Sequence, residues 1–207
     1  MPEPPRCCGL EAEQAASRAE VVRKAAAAGG ALLGGGLLLG TLPRLASSAP
    51  SPAQDVRVLN FVLLLEQLQS AFYSEAVRLG RLTGELREYA RTVLVHESAH
   101  LQFIHGALRG KARVDPTFDF GSATSDAGEF TAAAITLEDL SVAAYNGQAA
   151  NLTPGALRAA ARIVSVEARH AAWIRDIAGR PPAAEPTDTP MSEREVRAEI
   201  EKTGFVK

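Results

Sequence analysis

Two glutamates each stand three residues ahead of a histidine: Glu97 before His100 in VHESAHLQFIH, and Glu167 before His170 in VEARH. On a helix such a pair lies on one face, one turn apart, so carboxylate and imidazole can aim at the same ion. Two further glutamates sit inside apolar helical stripes: Glu66 in LEQLQSAFY and Glu138 in LEDLSVAAY. Each is followed seven residues later by a tyrosine, Tyr73 and Tyr145, which returns to nearly the same face. The spacing from Glu66 to Glu97 is 31 residues and from Glu138 to Glu167 is 29, so the pattern is a repeat. Pairing the two copies gathers four carboxylates and two imidazoles around one point. Four carboxylates repel one another when buried and need protons or cations. Two divalent ions would balance the charge, and a carboxylate-rich set with one histidine per ion suits iron or manganese.

A competing reading starts from His96. The stretch His96-Glu97-Ser98-Ala99-His100 fits the H-E-x-x-H pattern of zinc proteases, with the histidines as ligands and Glu97 as base. It needs a third ligand, for which Glu138 or Glu167 can be nominated. It leaves the second E-x-x-H and Glu66 without a role, and no strand pattern offers an edge to hold a peptide. The second copy has Val166 where the first has His96, so the shared element is E-x-x-H. His96 and His105 are expected off the site, since one residue before Glu97 the helix has turned by about 100°. Tyr73 and Tyr145 are open to three readings: hydrogen-bond partners of the site, redox-active groups, or packing.

The elements that must carry these residues read as helices. Apolar residues recur at helical spacing from Val58 to Phe72, and Gly80 and Gly84 punctuate the end of the run. A second run covers about Glu85 to Leu108. Residues 111–125, KARVDPTFDFGSATS, break the period as a long crossover. Asp126 and Glu129 resemble a capping box that opens a third helix, which runs to about Ala150. Thr153-Pro154 supplies an N-cap and a first-turn proline for a fourth helix, which reaches about Ala178. Four helices of about 22–26 residues, each about 35 Å long, result. One long crossover between two helical hairpins defines a particular four-helix bundle. Residues 181–207 form a Pro-rich tail in which Ser192 and Glu195 cap a short helix ending near Gly204. Phe205 and Val206 are expected to pack it back onto the bundle.

Residues 1–53 read differently. Arg23-Lys24 precedes a Gly-rich apolar stretch from Ala25 to Leu42, and small residues follow, as before a signal-peptidase cut after Ala49 or Ala53. SRAEVVRK resembles a degraded twin-arginine export signal, with Ala19 in place of the second arginine. The expectation is an exported protein, periplasmic or extracellular, anchored in the membrane only if this segment stays uncleaved.

Composition narrows the class. The chain has 207 residues and 46% hydrophobic residues, with 5% aromatic, which is enough for one helical core plus appendages. The net charge is −2 and no basic stripe stands out, which argues against nucleic acid as a partner. Both cysteines, Cys7 and Cys8, sit at the N-terminus, so the main domain holds no disulfide and no cysteine-bound metal.

At this point the sequence resembles the ferritin-like superfamily, and more closely the ferritin-like domain of desiccation-related proteins. The likeness spans about residues 55–206 and rests on DVRVLNFVLLLEQLQSAFYSEA, PTFDFG, TLEDLSVAAYNGQA, VSVEARHAAWIR and the tail TDTPMSEREVRAEIEKTGFVK. It implies an all-α, ferritin-like four-helix bundle over residues 54–180 with a short C-terminal helix. It also implies a di-metal centre whose ligands are Glu66, Glu97, His100, Glu138, Glu167 and His170. By analogy Glu97 and Glu167 would bridge two iron or manganese ions, and the other four would be terminal. The function implied is reaction with O2 or H2O2 in oxidative or desiccation stress, as an oxidase, peroxidase or catalase. An external electron donor would serve it, and a homodimer is allowed. The alternative is a non-catalytic structural or binding bundle of the cell envelope.

Overall fold

The computed structural model describes residues 49–113 and 116–207. Most of the proposed export segment, with Cys7 and Cys8, lies outside the described residues. Four long helices make up the bundle: α1 Pro52–Leu79, α2 Gly84–Leu108, α3 Ala127–Gln148 and α4 Pro154–Ile177. A short α5, Glu193–Thr203, follows the tail. This is the expected all-α architecture of two hairpins joined by one long crossover. No strand occurs among the described residues, only a single β-bridge between Phe118 and Val206. No helix among them is long and apolar enough to cross a membrane.

The helix ends follow local chemistry. α1 starts at Pro52 rather than near Asp55, because the Ser51 side chain accepts from the Gln54 amide at 3.2 Å and proline fits the first turn. It stops where Gly80 takes a left-handed conformation, φ 64°. Asp126 caps α3 by accepting from the Glu129 amide at 2.9 Å, but the expected reciprocal bond is missing. The Glu129 carboxylate instead accepts from Ser122 Oγ at 2.5 Å. Thr153 precedes α4 without a side-chain cap, since its amide and hydroxyl donate to the Asp55 carboxylate at 2.9 and 2.7 Å. That pair ties the start of α4 to the start of α1. Only Ser192 and Glu195, at α5, complete the full capping box.

α1 packs on α2 and α3, and α4 packs on α3 and α2. α1 and α3 are buried over much of their circumference, whereas α2 and α4 bury a single stripe and turn charged faces outward. Leu65, Leu68, Phe72 and Leu137 are fully enclosed. Each such side chain contributes about 1.5–3 kcal/mol by leaving water.

The tail closes over this core. Met191 donates its amide to the Ala143 carbonyl at 3.0 Å and lies so close to α3 that only a glycine fits at position 147. Val196 and Ile200 bury the inner face of α5. Phe205 packs on Phe72 and Phe120, as expected. Val206 instead stays exposed and contributes through its backbone bridge to the crossover.

Candidate metal centre

The six residues come from all four long helices: Glu66 from α1, Glu97 and His100 from α2, Glu138 from α3, Glu167 and His170 from α4. Each lies on the buried stripe of its helix, which the pattern i, i+3, i+7 turns toward the bundle axis. The structure brings all six together. His100 Nδ1 is 2.9 Å from Glu167 Oε1, 3.2 Å from Glu66 Oε2 and 3.6 Å from Glu97 Oε2. His170 Nδ1 is 3.3 Å from both Glu97 Oε1 and Glu138 Oε2. All four glutamates are 0% exposed.

Around the cluster, two tyrosines cross between the hairpins. Tyr145 on α3 donates to Glu66 Oε1 on α1 at 2.5 Å, and Tyr73 on α1 donates to Glu138 Oε1 on α3. Of the three readings open for these tyrosines, the hydrogen-bond one describes their contacts. In Glu66 and Glu138 one oxygen is thus occupied by a phenol and the other faces the histidines. Gln69 Nε2 approaches Glu167 Oε2 at 3.4 Å. Among the described residues, nine buried side-chain polar atoms make no hydrogen bond of proper geometry, and seven belong to these six residues. They are Glu66 Oε2, both Glu97 oxygens, Glu138 Oε2, Glu167 Oε1 and the Nδ1 atoms of His100 and His170. Orphaned buried polar atoms are rare in folded proteins, so a convergent set marks a place where something charged can bind.

The electrostatics agree. Burial first, then the neighbouring Glu97, pushes the Glu66 carboxyl up to about 8. Burial and the Glu66 charge raise Glu167 to about 8 as well. Glu97 is also raised, by burial and by Glu167. Burial opposes the charge on His100, but Glu167, Glu66 and Glu97 outweigh it and lift its pKa to about 12. His170 likewise overcomes burial through Glu138 and Glu97 and reaches about 10. The cluster therefore shares protons to offset its own repulsion, and a cation could displace them.

Two overlapping groups have ligand atoms within 4.8 Å of one another: Glu66, Glu97, His100 and Glu167, and Glu97, Glu138, Glu167 and His170. Glu97 and Glu167 belong to both. Oxygen donors with one nitrogen per group fit a hard or borderline divalent ion. The sequence matches the ferritin-like domain family over residues 54–180. The chain belongs to that family. No curated protein matches the sequence.

In this ferritin-like domain the histidine edge of the cluster opens on a surface depression of about 380 Å³, lined by His96, Ala99, His100, Val166, Arg169, His170 and Trp173. A larger hollow of about 660 Å³ lies under the Pro-rich tail and is lined by none of the six.

His96 belongs to neither ligand group, as expected, but it touches one of their members. Its Nδ1 is 2.8 Å from His170 Nε2, with the two rings nearly parallel. Measured from Glu97 the side chain has turned away, but it stands four residues before His100 and so shares that face. His105 is exposed, as expected. The zinc-protease reading needs His96 and His100 on one ion, yet neither group able to hold a metal contains His96. Gln69 and Tyr89 were not singled out by sequence. Gln69 sits three residues after Glu66, and Tyr89 lies on the buried α2 stripe with Val93, Glu97, His100 and Ile104.

Proposed function

We propose that this is an exported ferritin-like protein that holds two iron or manganese ions and consumes O2 or H2O2 in oxidative or desiccation stress. The observation that carries the metal reading is the convergence of seven buried polar atoms from six residues that face one another without a hydrogen bond of proper geometry. In this reading Glu97 and Glu167, which belong to both groups, would be shared between the ions, while Glu66 with His100 and Glu138 with His170 would each help to hold one. When bound, such a pair supplies two electrons to a small oxidant. The chain's own part is to keep the ligands aimed and the site dry. Tyr145 and Tyr73 hold Glu66 and Glu138 by one oxygen each, which leaves the second oxygen free to bind. Leu65, Leu68 and Leu137 exclude water from the surrounding bundle. Export is supported by the apolar, Gly-rich stretch after Arg23-Lys24, and the stress role by the likeness of LEDLSVAAY and VEARHAA to desiccation-related proteins.

The test is metal content per chain, by mass spectrometry, for the full-length protein and for Glu97→Ala. Two iron or manganese ions in the wild type, lost in the variant with helix content intact, are expected. Two ions retained by Glu97→Ala would remove the bridging role. A non-catalytic envelope protein is the second reading, favoured by the direct imidazole–carboxylate pairs, which balance charge without redox chemistry. Turnover of H2O2 by the loaded protein separates the two.

A further inference from the structure

One end of the bundle carries charge of a single sign. Residues 49–65, 98–113 and 140–166 cover that end up to the level of the cluster. They hold six lysine or arginine side chains, Arg57, Arg109, Lys111, Arg113, Arg158 and Arg162, against one acid, Asp55. All six are exposed, and none joins an ion pair among the described residues. The Asp55 carboxylate is already taken by Thr153. Asp115 lies outside the described residues.

The fold gathers these side chains from segments far apart in sequence. Asn60, one turn after Arg57, donates to the Lys111 carbonyl at 3.1 Å and accepts from the Arg113 amide at 2.9 Å, which lays the segment after α2 against α1. Arg162 on α4 stands over the Phe103 ring on α2, 5.8 Å from its centroid. Phe103 and Leu157, both at this end, are 40% and 39% exposed. The opposite end mixes its signs, and there Arg78 pairs with Glu75 and Arg87 with Glu88. A helix dipole explains Arg109, at the C-terminus of α2, but not Arg57 and Arg158, which stand near the N-termini of α1 and α4. Unpaired like charges gathered on one end repel one another, and an anionic surface relieves them.

The chain enters α1 at this same end, from Ala49, and the apolar stretch that closes at Leu42 lies seven residues ahead. Seven residues reach at most about 25 Å. A bilayer that held the stretch would therefore meet the basic end first. We propose that this end of the bundle docks on an anionic phospholipid surface, with the six basic side chains on lipid phosphates and Phe103 and Leu157 among the headgroups. The inference goes beyond the metal reading and does not depend on it. Cleavage after Ala49 would remove the tether but leave the patch.

The experiment reads the orientation of the full-length protein on vesicles, so an anchored N-terminal segment does not mask the result. A nitroxide label is attached through Leu157→Cys at this end or Glu88→Cys at the other, each combined with Cys7→Ser and Cys8→Ser. Power-saturation spin resonance compares collisions with oxygen, which concentrates in lipid, and with a water-soluble nickel chelate. On phosphatidylglycerol vesicles the label at position 157 is expected among the headgroups and the label at 88 in water. On phosphatidylcholine vesicles both are expected in water. Arg109→Gln, Lys111→Gln and Arg158→Gln together should shift the docked-to-undocked ratio at position 157 about 100-fold toward water. Arg81→Gln, Arg87→Gln and Arg91→Gln, which remove the same charge from the other end, should leave it docked. Circular dichroism checks that the variants fold. A label at 157 that stays in water on phosphatidylglycerol, or that is equally immersed on both lipids, would overturn the docking. Tighter binding to a DNA duplex than to phosphatidylglycerol vesicles, lost in the first triple variant, would assign the patch to nucleic acid and overturn it as well.

Discussion

Tyr145 and Glu66 join the two hairpins: the phenol on α3 donates at 2.5 Å to the carboxylate on α1, and Tyr73 repeats the bond in the opposite direction to Glu138. Each repeat therefore orients the glutamate of the other, and neither hairpin could build the site alone.

Removing one of these phenols has a definite cost. Tyr145→Phe keeps the ring but leaves Glu66 Oε1 buried without its donor. The metal-free protein is expected to lose about 1–3 kcal/mol, measured by urea denaturation, with its helix content unchanged. A loss near zero would mean that the Glu66 oxygen finds another partner.

With His170 Nδ1 on a metal its proton stands on Nε2, so His96→Ala removes the nitrogen that would accept it at 2.8 Å. One of the two ions is expected to bind about 10–100-fold more weakly, while the other keeps its affinity. Calorimetric metal titration resolves the steps, and His96→Gln, which retains an acceptor, should recover part of the loss. Equal weakening of both ions would argue against a contact specific to His170.

The metal-free protein should weaken as pH rises. Glu66 and Glu167 hold protons up to about 8 against an ordinary 4.5, and His170 and His100 up to about 10 and 12 against 6.5. All four shifts run upward, so between these limits the folded state binds more protons than the unfolded chain. The histidine contribution is complete below 6.5 and is lost as pH climbs through 10 and 12. The carboxyl groups add to the decline between 4.5 and about 8. Urea midpoints measured across that range should fall steadily. Metal uptake should expel these protons, acidify a weakly buffered solution and strengthen with pH.

Gly147→Ala tests the tail. A Cβ there would stand 1.8 Å from the Met191 carbonyl oxygen, so the segment must lift from α3. The gain in helix propensity, about 1 kcal/mol, should be outweighed. A lower melting temperature and faster proteolytic cleavage between residues 181 and 191 are expected.

Much of this was legible in one dimension. The helical period of α1, the Gly80 stop, the Pro- and Gly-broken crossover and the duplicated E-x-x-H together set four helices and the faces bearing Glu66, Glu97, His100, Glu138, Glu167 and His170. These are local properties, since a residue's place on a helix follows from its number. Partners across helices are not local. The α1–α3 packing decided that Tyr73 meets Glu138 and Tyr145 meets Glu66, and the α2–α4 packing set His96 against His170 and Tyr89 against Trp173. Thr153 was diverted to Asp55 where the start of α4 meets the start of α1, while Glu129 turned to Ser122, seven residues earlier in the chain. Periodicity determines which way a side chain points, but only the relative height and rotation of packed helices decides what stands opposite it.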